Sequence, residues 1–97
     1  MPIHALNDAE ISAEMQKAAL WRREGKEIVR VFQFSGFLEA IRFVNALAEE
    51  AERANHHPDI LIQYSKVTLR LTTHDCDGLS ERDFALAGVA DGLASRC

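Results

Sequence analysis

The sequence predicts a two-layer α+β domain in which helices cover one face of a four-stranded, largely antiparallel sheet. Three observations support this fold class. Apolar residues recur at helical spacing over 37–51, and apolar and polar residues alternate over 67–72. Short segments rich in β-branched residues are also separated by turn residues. Strands this short, joined partly by hairpins, favour one antiparallel sheet with helices packed against it.

The composition indicates a single globular domain over residues 1–97, with 47% hydrophobic and 27% charged residues. The net charge of -4 argues against direct nucleic-acid binding, which needs a basic surface. The apolar runs are too short for a membrane span, and residues 1–10 lack the pattern of a secretory signal. Cys76 and Cys97 alone make no disulfide framework, so a cytoplasmic protein is expected.

The first part of the chain is expected to form a helix followed by a β-hairpin. Asn7 or Asp8 can cap the helix, and Glu10 stands three residues after Asn7 in capping-box spacing. Glu24-Gly25 predicts a turn between two strands. The second of these strands spans 27–34, where β-branched and aromatic residues are frequent.

The longest predicted helix runs from Phe37 to about Asn55, with Ser35 as its expected cap. Its expected apolar stripe consists of Phe37, Ala40, Ile41, Val44, Leu47, Ala48 and Ala51. Pro58 cannot continue a helix, and it biases His57 toward an extended conformation. The helix should therefore end just before the adjacent histidines.

The second half is expected to form two more strands and a last helix. Residues 60–73 divide into two strands at a turn near Ser65-Lys66, and 74–78 should form a loop. Ser80 and Asp83 have the spacing of a capping box at the start of the last helix. The resulting order is α-β-β-α-β-β-α.

Three histidines are expected at one rim of this sheet. His56 and His57 follow the long helix, and His74 follows the last strand. Glu52 stands one helical turn before His56, and Asp83 lies in the first turn of the last helix. Since imidazole exchanges protons near neutral pH, this set predicts an acid/base site.

Four of these residues also have a simpler structural explanation. His56 suits the negative end of a helix, His57 suits an exposed turn, Asp83 completes a capping box, and Glu52 suits a solvated helix surface. A metal site is a further alternative, because His74 and Cys76 are two residues apart and two more imidazoles are available. No metal is expected, since this spacing matches no familiar zinc pattern.

The complete spacing resembles that of the pterin-4a-carbinolamine dehydratase family. It reads Glu52, three residues, His56-His57-Pro58, five residues, Tyr64, nine residues, His74, eight residues, Asp83. The segments FQFSGFLEAIRFVNALAEEAE, AERANHHPDI and YSKVTLRLTTHDCDGLSERD extend the resemblance. Trp21 is similar to the family's tryptophan, although Leu20 replaces the glycine that usually precedes it.

The resemblance implies dehydration of 4a-hydroxytetrahydropterin to quinonoid dihydropterin and water. The pterin is then the substrate, no cofactor is needed, and the reaction serves aromatic amino acid hydroxylases. Family members form dimers or tetramers, so a homo-oligomer is expected, and the same two-layer fold is implied. Two alternatives remain open: a protein-binding module like the animal members that assist a homeodomain transcription factor, or an enzyme for another pterin, such as a molybdenum cofactor precursor.

The resemblance also implies roles for individual residues. His56 and His74 are expected to be the acid/base pair at the 4a hydroxyl, and His57 is expected to bind and orient the pterin. Asp83 and Glu52 are expected to hold the imidazoles or bond the ring, and backbone contacts are expected from Pro58 and Thr73.

Overall fold

The computed structural model describes residues 3–96, and within them the order α-β-β-α-β-β-α and the α+β class are confirmed. The helices are α1 (Asp8–Lys17), α2 (Phe37–Ala54) and α3 (Glu81–Ala94). The strands are β1 (Arg22–Glu24), β2 (Glu27–Gln33), β3 (Asp59–Gln63) and β4 (Lys66–Leu71). No helix in this part of the chain is both long and apolar enough to cross a bilayer. Cys97 lies outside the described residues.

The four strands form one sheet in the order β1-β2-β4-β3, and every pairing is antiparallel. Ile28 lies opposite Leu71, and Phe32 lies opposite Val67. Because directly opposed residues share a face of the sheet, these apolar side chains form one surface. All four are buried in the core against the helices, so the predicted layering is observed.

The buried face of α2 overlaps the predicted stripe and is shifted toward Phe43. Its buried residues are Ala40, Phe43, Leu47 and Ala51. Phe43 was not in the predicted stripe, yet it is fully buried, whereas Phe37 is 49% exposed. Periodicity therefore indicated the general side of the helix that packs, but not that Phe43 belongs to it and Phe37 does not. The Phe43 ring lies 4.8 Å from Phe32 and 5.0 Å from Phe34, between centroids, and this contact fixes the orientation of the helix.

The capping boxes at α1 and α3 are confirmed. Asn7 and Glu10 bond each other's backbone N–H, and Ser80 and Asp83 do the same. The predicted cap of α2 is wrong. Its N-cap is Gly36, which has extended backbone and no side-chain cap, because the helix begins one residue too late for Ser35.

The hairpin between β3 and β4 turns one residue earlier than predicted. Lys66 still pairs with Gln63, so the two turn residues are Tyr64 and Ser65. Tyr64 takes a left-handed conformation with φ of 54°. A positive φ at the first turn position matches the twist of a two-residue hairpin. The segment predicted as a loop contains a single 3₁₀ turn, His74–Cys76.

Candidate active site

The end of α2 directs the two adjacent histidines. Asn55 closes the helix in the left-handed region (φ 51°, ψ 43°), and its N–H donates to carbonyls of the last turn. Asparagine tolerates this conformation at little cost. The N–H of His56 also donates to the Ala51 carbonyl at 3.0 Å, and Pro58 prevents any further helical turn. The two imidazoles therefore leave the helix on an irregular segment and take different partners.

His56 points inward to a carboxyl group on α3. Its Nε2 lies 2.6 Å from Oδ1 of Asp83, in the first turn of that helix. The Asp83 side chain has no exposed surface, and His56 is 9% exposed. A buried contact of this length holds the imidazole in one orientation, as a charge-assisted hydrogen bond does.

The second oxygen of Asp83 belongs to the cap of α3. Oδ2 accepts the Ser80 N–H at 2.9 Å and the Thr73 hydroxyl at 2.8 Å. The Thr73 and Ser80 hydroxyl oxygens lie 2.7 Å apart. The capping box and the histidine contact, which were separate explanations of Asp83 in the sequence, are thus made by one side chain.

His57 takes a partner on the surface. Its Nε2 lies 2.7 Å from Oε1 of Glu52, and the two side chains are 59% and 80% exposed. Exposed ion pairs contribute little to stability. The His57 imidazole can therefore leave Glu52 for a ligand at low cost.

His74 stands where β4 gives way to the 3₁₀ turn. It is exposed, and the neighbouring Thr73 is tied to Gly78 by paired backbone hydrogen bonds that close this turn. On the same turn, a hydrogen bond from Lys26 holds the pKa of Asp77 below its ordinary value. The short turn therefore presents the His74 imidazole to solvent on a defined backbone.

The three histidines line one cleft of about 180 Å³. Thr73 also lines it, while Asp83 lies behind His56 and Glu52 lies beside His57. Pro58 does not line the cleft. The remaining lining residues are Asn55, Thr72, Asp75 and Arg82. Sequence reasoning missed these four, although the position of Asn55 directly before the histidine pair was a usable signal.

A second pocket adjoins the cleft between α2 and α3. It measures about 240 Å³, and its lining is mainly apolar. His56 and Arg82 line both this pocket and the cleft. Nothing in the sequence pattern indicated it, because it forms only where two distant helices meet. His56 is accordingly bordered by a polar cleft, an apolar pocket and a buried carboxylate.

The cleft combines three imidazoles with hydroxyl, carboxyl and amide side chains. Among residues 3–96, no three His, Cys, Asp or Glu side chains lie close enough together to hold a metal ion. The Cys76 thiol contacts the backbone carbonyls of Thr73 and Gly78 at 3.6 and 3.7 Å. One buried imidazole with a carboxylate behind it and two exposed imidazoles supply groups that can donate or accept hydrogen bonds and protons.

Comparison with protein families finds one match over nearly the whole chain. Residues 4–93 match the family described as Pterin 4 alpha carbinolamine dehydratase. A relative from Picosynechococcus sp. is 52% identical over 88 residues, which cover 91% of this chain and 96% of the relative. A relative from Thermomicrobium roseum is 50% identical, covering 93% and 97%. Both are provisionally named pterin-4-alpha-carbinolamine dehydratase.

Two solved structures share the fold. A transcriptional coactivator/pterin dehydratase from Brucella melitensis superposes with a TM-score of 0.91 at 28% identity, covering 94% of this chain and 99% of that one. A pterin dehydratase-like protein identified as a RuBisCO assembly factor in the alpha-carboxysome gives a TM-score of 0.68 at 30% identity, covering 76% and 88%. The same architecture therefore accompanies both dehydratase and protein-binding descriptions.

Proposed function

The chain belongs to the pterin 4 alpha carbinolamine dehydratase family, and we propose on that premise that it removes water from 4a-hydroxytetrahydrobiopterin. The product is quinonoid dihydropterin, and the reaction returns the pterin cofactor of an aromatic amino acid hydroxylase to its cycle. The proposed setting is the cytoplasm, where a thiol such as Cys76 stays reduced.

One observation carries the proposal: a buried imidazole–carboxylate pair shares a cleft with two exposed imidazoles. The buried pair is His56 with Asp83, and the exposed imidazoles are His57 and His74. A protein that only docked a partner would have no need to bury an ionisable pair behind an open cleft. Even with its hydrogen bonds satisfied, a buried pair of this kind is often no more stable than apolar side chains of similar volume, so stability alone does not account for it.

The chemistry needs only proton transfer. Hydroxide leaves the 4a carbon and must be protonated as it departs, while a ring nitrogen loses a proton as the new double bond forms. No electrons are gained or lost, and the proton balance closes with the release of one water. His56 and His74 are proposed to donate and accept these protons, a role that typically accelerates a reaction by about 10²–10⁴-fold.

His57 is proposed to bind the ring. Its present partner, Glu52, is largely exposed, so a pterin nitrogen or oxygen can replace or share that hydrogen bond. Asp83 holds His56 from behind, and Thr73 supports Asp83. Pro58 contributes by ending α2, which lets the adjacent imidazoles take these separate roles.

The decisive experiment follows the decay of 4a-hydroxytetrahydropterin with and without the protein. We expect faster decay with the protein, and we expect protein treated with a strong chelator to keep its full rate. The physical reason is that the proposed proton donors and acceptors are all side chains of the chain itself. A rate equal to the uncatalysed one contradicts the function, and activity lost on chelation but regained with zinc contradicts the proposed mechanism.

We also propose a homo-oligomer, because β3 is an edge strand with exposed apolar side chains. Ile60 and Leu61 are 37% and 53% exposed, and the outer edge of β3 carries unpaired backbone groups. Light scattering at micromolar concentration should give a mass at least twice the 10.9 kDa of the chain. Leu61→Lys should weaken the assembly, whereas Leu20→Lys, at a site 68% exposed in another part of the fold, should not. A wild-type monomer contradicts this proposal.

A second candidate function is a protein-binding module. The RuBisCO assembly factor favours it, because that protein is described as pterin dehydratase-like and shares the fold. The exposed apolar residues Phe37 and Leu38 at the start of α2 are available for such a contact. The decay assay separates the two candidates, since a pure binding module leaves the pterin at its spontaneous rate. An assay with other 4a-hydroxypterins tests the remaining alternative, a different pterin substrate.

A further inference from the structure

Two buried residues with hydroxyl side chains contact Asp83, which in turn contacts His56. They are Thr73 and Ser80, which are 3% and 1% exposed, although threonine and serine are more often found on the surface of a protein. Each is hydrogen-bonded within the same buried cluster, and among the described residues no buried side-chain nitrogen or oxygen lacks a partner. The partners of these hydroxyls therefore fix which group donates in each hydrogen bond.

The directions follow from the number of protons available. Asp83 Oδ2 accepts from the Ser80 N–H and from the Thr73 hydroxyl. A hydroxyl has one proton, so Thr73 donates to Asp83 and must accept from the Ser80 hydroxyl, 2.7 Å away. The Ser80 oxygen in turn accepts the Arg82 N–H at 3.2 Å. Every proton in the series points toward Asp83.

This series decides which nitrogen of His56 carries a proton. Two donors on Oδ2 and the N-terminus of α3 favour negative charge on Asp83, and a carboxylate can only accept. The His56 Nε2, which faces Oδ1 at 2.6 Å, must then be the donor. A neutral imidazole with its proton on Nε2 carries a lone pair on Nδ1.

We propose that Ser80 and Thr73 are positioning residues that hold Asp83 as an acceptor, so that His56 offers Nδ1, not Nε2, to the substrate. This inference rests on the proposed dehydratase function and names the atom at which His56 exchanges a proton. The cap of α3 and the acid/base site then form one hydrogen-bonded unit. Proton transfer at Nδ1 leaves the contact between Nε2 and Asp83 intact throughout the reaction.

Nitrogen NMR of protein labelled in its histidines tests the proton position directly. In the neutral imidazole, reached by raising the pH until the His56 signals no longer change, we expect Nε2 to be protonated and Nδ1 to be bare. His56→Gln identifies the signal. A proton on Nδ1 overturns the proposal. Because this measurement needs no turnover, it decides the matter even if the protein fails to dehydrate the pterin.

Thr73→Val tests the positioning role, because it removes the hydroxyl and keeps the shape. We expect kcat to fall by about tenfold or more, KM to stay within about twofold, and His56 to show a mixture of tautomers. Thr73→Ser, which retains the hydroxyl, should restore both the rate and the single tautomer. Equal losses in Thr73→Val and Thr73→Ser, or an unchanged tautomer and rate in Thr73→Val, overturn the proposal.

Two further variants test whether a lower kcat could arise from weaker folding alone. Ser80→Ala removes the donor to Thr73 but leaves the Thr73 hydroxyl able to donate to Asp83, so kcat should fall less than in Thr73→Val and the His56 proton should stay mainly on Nε2. Asn7→Ala removes the cap of α1, a matched capping box remote from the three histidines, and should lower stability without changing kcat. If Asn7→Ala lowers kcat as much as Thr73→Val, the effect is one of general stability and the proposal fails.

Discussion

Replacing His56 or His74 by alanine is expected to raise the barrier to the reaction by about 2–4 kcal/mol, roughly a 30- to 1,000-fold loss of kcat. Pterin affinity should stay nearly unchanged, because both imidazoles are proposed to act mainly in the transition state. Steady-state kinetics, with pterin binding measured separately, is the test. The double variant should be worse than either single variant if the two serve different steps, and little worse if they act as one unit.

His57→Ala is the matched control for this prediction, since it alters the adjacent imidazole. It should chiefly raise KM, as expected when binding is lost equally from the ground state and the transition state. If His57→Ala abolishes kcat while His56→Ala only weakens binding, the roles assigned to the adjacent pair are reversed.

The His56 variant also has a cost in stability that the His74 variant lacks. Removing the imidazole leaves Oδ1 of Asp83 buried without its partner, which typically costs about 1–3 kcal/mol. His74 is exposed, so His74→Ala should leave the free energy of unfolding nearly unchanged. Kinetics should therefore be compared at a temperature at which urea titration shows every variant to be folded.

Phe43→Ala is expected to lower the free energy of unfolding by about 3–5 kcal/mol. The ring is fully buried and contacts the rings of Phe32 and Phe34, so its loss leaves a cavity between α2 and the sheet. Urea denaturation monitored by circular dichroism measures the change, with a constant m-value showing that the same transition is being compared.

Phe37→Ala is the control for this second prediction, because the same side chain is removed from the same helix. Phe37 is 49% exposed, so the loss should be below about 1 kcal/mol. A larger loss in Phe37→Ala than in Phe43→Ala would mean that α2 buries the side of the helix that carries Phe37 and not the side that carries Phe43.

Most of the secondary structure could be predicted because its signals are local. The capping boxes at Asn7 and Ser80, and the alternation along β4, depend on residues a few positions apart. Predictions failed where two local choices were nearly equal. Ser35 and Gly36 are adjacent candidates for one cap, and Phe37 and Phe43 are both candidates for the buried face of α2. In each case the tertiary packing of α2 selected one of the two residues.

The candidate site was predicted in its residue types and only partly in its geometry. The three histidines lie on one cleft, as the topology suggested. Glu52 stands four positions before His56 yet contacts His57, because Asn55 turns the chain before either imidazole can follow the helix. Arg82 gave no signal in the sequence, since it borders the cleft only through the packing of α3 against α2.

By itself the sequence determined the order of elements, the end of α2 before Pro58 and the set of imidazoles available for chemistry. These follow from backbone preferences that act within one or two turns of chain. Only the tertiary structure decided that Asp83 lies behind His56, 27 residues earlier in the chain, and that Thr73 and Ser80 complete its hydrogen bonds. Such contacts depend on sheet register and on the angle between helices, and both are set by the burial of the whole core.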